Sequence, residues 1–184
     1  MAFMTRRSVV AAAGGTLAAG LVVRKLHAET LAEDLTRIDP PVLMPDGVFL
    51  DAGGGEHRLS DFHGRGMVVN LWATWCAPCV AEMPSLAVLS KALAPSDIAV
   101  LPLSSDRGGA AAVQAWFGAH GIASLPVLLD PKGALAHSWK ARGIPTTVLI
   151  DRDGRARARL EGATDWGTPA AAETVRRIVS AGAG

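Results

Sequence analysis

Cys76 and Cys79 are the only cysteines among 184 residues, and two residues separate them in the stretch NLWATWCAPCVAEMP, 70–84. Sulfur at that spacing can close a structural bridge, supply half of a metal site, or cycle as a dithiol–disulfide couple. A bridge over two intervening residues closes so short a loop that it removes little entropy from the unfolded chain, which argues against a staple. A zinc site needs two further Cys or His ligands at suitable spacing. The histidines (His27, His57, His63, His120 and His137) contain no compact pair, so no metal is expected. A redox couple fits the position of the motif, where an apolar run gives way to helix-forming sequence. Free N–H groups at a helix start and the helix dipole favour thiolate over thiol. In such a setting a cysteine pKa falls from about 8.5 to about 3.5–7.5. Cys76 is then the nucleophile, and Cys79, one turn further in, is placed to resolve a mixed disulfide on it.

The elements around the pair follow from periodicity. VFLDAGGGEHRLSDF, from Val48, reads as a β-hairpin turning through glycines. MVVNLWA, 67–73, is a continuous apolar run suited to a buried central strand. A helix is expected from about Ala77 to Leu93, with Leu86, Leu89 and Leu93 on one face and Pro84 kinking it. Strands follow at 98–104, 125–130, 146–151 and 155–162, with helices at 109–120, around 134–139 and from Pro169. Arg155, Arg157 and Arg159 alternate along the last strand and read as a solvated face, or as a docking surface for an acidic partner. The order is that of a mixed sheet with helices on both faces, an α/β fold. Pro145, after Ile144 and directly before an apolar strand, suits a cis X-Pro bond in a tight turn.

The ends of the chain carry a different signal. Residues 1–28 hold Arg6–Arg7, a weakly apolar Ala/Gly/Val run, then Arg24–Lys25 and a small-residue exit near Ala28. That layout is an export signal, and TRRSVV resembles the twin-arginine type; the other reading is an uncleaved membrane anchor. Without these residues the charge balance is 14 basic against 17 acidic residues, −3 rather than +1. There is then no electrostatic case for nucleic-acid binding. Residues 29–47 are polar and proline-rich and read as a linker, which leaves 48–184 as one domain.

VVNLWATWCAPCVAEMPSL and GIPTTVLIDRDG together resemble the TlpA/ResA-like branch of the thioredoxin superfamily, the exported thiol–disulfide oxidoreductases. The matching features are W-C-x-x-C, Pro84 eight residues after Cys76, and Pro-Thr-Thr beginning 69 residues after Cys76. That separation exceeds a minimal thioredoxin and is similar to the branch's extra αβ insertion, here around 106–132. The tail EGATDWGTP, with Gly162 and Trp166, resembles TlpA more closely than ResA. The resemblance implies a thioredoxin-like fold whose only redox group is the cysteine pair, with no other cofactor. It makes Cys76 the exposed attacking thiol and Cys79 the buried one. It lays cis-Pro145 against the disulfide and assigns substrate contact to Trp75, Pro78, Ile144 and Pro145. Glu82 matches the branch's active-site glutamate, a carboxylate of raised pKa that relays the proton of Cys79; by position alone it would be a solvated helix residue. The activity implied is a periplasmic, monomeric reductase of protein disulfides. Its electrons would come from a membrane donor of the DsbD/CcdA kind, and its substrates would belong to cytochrome c or cytochrome oxidase maturation. Two other readings stand beside it: a DsbA-like oxidase, since C-x-x-C potentials span about −270 to −120 mV, and a Sco-type copper protein, a family that uses C-x-x-x-C and a distal histidine.

Overall fold

The structure is a computed structural model that describes residue 31 and residues 34–180. The export signal or anchor expected over 1–28 and the start of the expected linker lie outside the described residues. Along the chain come β1 (Thr36–Leu43), β2 (Val48–Asp51), β3 (Glu56–Arg58), β4 (Gly66–Trp72), α1 (Ala77–Leu93) and β5 (Ile98–Ser104). They are followed by α2 (Gly109–Ala119), β6 (Leu128–Leu129), α3 (Ala134–Ser138), β7 (Thr146–Ile150), β8 (Arg155–Glu161) and α4 (Pro169–Val179).

The strands form one sheet in the order β1-β8-β7-β4-β5-β6-β2-β3. Pairing is parallel between β4 and β5 and between β5 and β6, and antiparallel elsewhere. Side chains alternate across a strand, so β4 feeds two cores. Val68 and Trp72 join the core beneath α1 and α4 with Leu86, Leu89 and Val175. Met67, Val69 and Leu71 join the opposite core with Phe49, Leu135 and Trp139. A sheet covered on both faces explains why β4 and β5 are buried at every position and why their sequences are nearly unbroken apolar runs. The hairpin expected from Val48 is β2–β3, and α2 with β6 forms the insertion between α1 and Pro145.

Three expectations need correction. Residues 36–43, assigned to the linker, form β1 and pair with β8 at the edge of the sheet. The prolines that make the segment look unstructured are compatible with an edge, where one row of N–H groups has no partner to bond. The pairing register shifts between Arg37 and Val42, across Pro40 and Pro41. The strand expected over 125–130 is only Leu128–Leu129, since Pro126 has no N–H for a ladder. Finally, the arginines of β8 are not a uniformly solvated stripe. Arg155 is exposed, but Arg157 pairs with the fully buried Asp151, and Arg159 donates to the carbonyl of Trp139 at 2.6 Å.

Candidate active site

The site forms where β4 ends and α1 begins. The chain leaves Trp72, turns through Ala73–Trp75, and enters the helix with Cys76 as N-cap in extended conformation. Cys76 and Cys79 are joined, with an S–S distance of 2.06 Å. The N-cap role normally falls to a side-chain oxygen. Here Cys76 Sγ takes it, accepting the Cys79 N–H at 3.3 Å, so a negative charge developing on that sulfur meets a helix start. Pro78 occupies the first turn and brings no N–H of its own. Cys76 is largely buried, at 7 % exposure, and Cys79 is fully sealed, so of the two residues only Cys76 has any exposure to the outside.

The turn before the helix is held from an unexpected quarter. Asp106, buried at the end of β5, accepts the Thr74 N–H at 2.8 Å and the Thr74 hydroxyl at 2.6 Å. It also accepts the Ser104 hydroxyl at 2.6 Å. Trp75, the next residue, is left 68 % exposed.

Across the disulfide lies the turn before β7. The Ile144–Pro145 peptide is cis, and the carbonyl oxygen of Ile144 lies 3.6 Å from Cys76 Sγ. Pro145 is buried and its carbonyl accepts the Gly162 N–H at 2.9 Å, which ties this turn to the end of β8.

Glu82 follows Cys79 by three residues, on the same face of α1, and is 3 % exposed. It is therefore not a solvated helix residue. Asn70 Nδ2 donates to its Oε1 at 2.8 Å, while Thr164 N–H and Trp166 Nε1 donate to its Oε2, each at 3.2 Å. Burial pushes the Glu82 pKa up; the hydrogen bonds from Asn70, Thr164 and Trp166 oppose that shift without reversing it. A carboxyl held ready to take a proton thus sits one turn behind the sealed sulfur. A shallow pocket of about 300 Å³ is lined by Glu82 together with Ala81, Ser85 and Ala163–Asp165.

The structure thus brings Cys76, Cys79, Ile144 and Pro145 together, sets Glu82 behind them, and leaves Trp75 and Pro78 on the rim. Sequence reasoning missed Asn70, Asp106 and Thr164. Asn70 had a signal, as the one amide in an apolar strand; it faces the α1 side and also donates to Thr147 Oγ1 at 2.9 Å. Asp106 and Thr164 had none, because they reach the site from loops distant in sequence.

Comparison with known proteins agrees with this geometry. The family model described as Redoxin matches residues 41–175. The thiol-disulfide oxidoreductase ResA of Geobacillus kaustophilus is 31 % identical over 118 residues, which is 64 % of this chain and 67 % of that protein. Among solved structures, the Chlorobium tepidum chain described as a thiol:disulfide interchange protein DsbE superposes with a TM-score of 0.64 at 25 % identity, over 78 % of this chain and 97 % of that one. The pneumococcal exposed lipoprotein thioredoxin of Streptococcus pneumoniae gives 0.61 at 28 % identity, over 73 % of this chain and 100 % of that one. The fold is therefore thioredoxin-like.

Proposed function

This chain belongs to the Redoxin family and is a thiol–disulfide oxidoreductase of the ResA and DsbE kind, and from that premise we propose that it works outside the cytoplasm as a reductase of protein disulfides. The observation that carries the reading is the asymmetry of the cysteine pair: Cys76, 7 % exposed, against Ile144, and Cys79 sealed one turn from the buried Glu82, whose pKa burial raises.

In the reduced enzyme the Cys76 thiolate attacks one sulfur of a substrate disulfide. A Cys76–substrate disulfide forms, and the other substrate sulfur leaves as a thiolate that takes a proton from solvent. Cys79 then gives its proton to the Glu82 carboxylate and attacks Cys76 Sγ. The Cys76–Cys79 bond closes and the second substrate sulfur departs. Two electrons have passed to the substrate, and the proton on Glu82 leaves through the pocket at Thr164. An external dithiol, supplied by a membrane donor, must reduce the pair again. An extended substrate segment lies against Ile144–Pro145, with Trp75 and Pro78 on its flank. Substrates of cytochrome c or cytochrome oxidase assembly fit an exported reductase of the branch that the motifs around Cys76 and Pro145 resemble.

A disulfide-reduction assay on insulin tests the activity: the reduced protein turns the substrate over and Cys76→Ser does not. Cys79→Ser accumulates the mixed disulfide, which mass spectrometry of a cell extract reads directly. Redox titration of the pair tests direction, with a midpoint toward about −270 mV expected; a value near about −120 mV overturns the reductase assignment.

A further inference from the structure

At Trp75, the residue before Cys76, the surface opens into a groove of about 630 Å³ lined also by Asp106, Arg107, Gly108, Lys132 and Gly133 among others. A volume of this size accommodates several side chains. We propose that this groove is a docking subsite for acidic side chains flanking the disulfide of the substrate polypeptide, an inference that rests on the chain being a protein-disulfide oxidoreductase.

Charge gives the groove its sign. Its acidic residue, Asp106, is buried and turned inward, its oxygens occupied by Thr74 and Ser104. It builds the wall rather than facing a ligand. Arg107 and Lys132 both line the groove, are exposed, and have no carboxylate partner among the described residues. Two exposed cations in one groove run against the −3 balance of residues 29–184. Shape adds to this. Gly133, at φ +61°, has open space where a Cβ would stand, so no side chain of this protein fills that part of the groove. Trp75 offers an aromatic wall immediately before Cys76, for the aliphatic stem of a glutamate or a neighbouring apolar residue. Trp75, which lines the groove, directly precedes Cys76, so a polypeptide whose disulfide is attacked there can reach the groove with its flanking residues, and carboxylates are the groups of a polypeptide that answer two cations.

The test uses stoichiometric reduced protein and disulfide-linked peptides identical except for Asp/Glu, Ser or Lys flanks, with single-turnover rates normalised to the neutral 2-hydroxyethyl disulfide. The acidic peptide reacts about fivefold faster than the basic one for two exposed ion pairs. The ratio shrinks as salt is raised from about 20 mM to about 500 mM. Arg107→Glu with Lys132→Glu inverts the ratio, and the Gln pair brings it close to one. Equal rates for the acidic and basic peptides, or a preference that survives charge reversal, overturns the subsite while leaving the oxidoreductase reading intact. Failure to reduce any of the disulfides, the neutral one included, overturns both.

Discussion

Glu82 is the residue on which chemistry and stability meet. Its pKa is raised by burial, so the folded chain holds that proton more tightly than the unfolded chain does. The stability tied to this group is therefore complete below the ordinary glutamate value and is lost as pH rises through the higher folded one. Glu82→Gln removes that slope. Between about pH 4 and about pH 9, the wild-type urea midpoint should fall relative to that of the variant. The variant also slows resolution of the mixed disulfide about a hundredfold, because an amide cannot take the Cys79 proton; rapid quench followed by mass spectrometry reads this step. The cysteines and Pro145 were legible from residue type and spacing, and Glu82 only through the family resemblance. The carboxyl's surroundings were not, since Thr164 and Trp166 reach it from more than eighty residues away, and only the folded sheet brings that tail over α1.

At the scale of elements, α4 positions that tail. Thr168 is its N-cap, with Oγ1 accepting the Ala171 N–H at 3.1 Å, and Pro169 follows in the first turn. Thr168→Ala should cost about 1 kcal/mol in urea unfolding. The effect should extend to Trp166, two residues earlier, whose indole donates to Glu82. At the far end of the sheet, Asp151 is fully buried at the β7–β8 turn and accepts the Arg157 guanidinium together with the Asp153 and Arg155 N–H groups. Arg157→Ala leaves that carboxylate without its counter-charge and should cost about 3 kcal/mol, whereas replacing both partners by apolar residues of similar size should cost much less. The pair also shows where pattern reading stops. Alternation placed Arg155, Arg157 and Arg159 on one face of β8 correctly, but β1 was taken for linker, so the neighbours that surround the face were missing. The helices and central strands were legible because period and capping mark them. A proline-bearing edge strand carries neither mark.

At the scale of the molecule, the two edges of the sheet have a consequence for association between chains. A sheet whose margins could accept an extended chain is at risk of being drawn into aggregates by strand addition. β3, at one margin, is only three residues long and bears Glu56 and Arg58. β1, at the other, exposes Val42 and Leu43 and so would be the adhesive edge, were it not interrupted by Pro40 and Pro41. Pro41→Thr should therefore increase concentration-dependent association in sedimentation velocity while leaving disulfide reduction by the monomer unchanged. The prolines that disguise β1 as linker are the same residues that keep this edge from acting as a template for another chain.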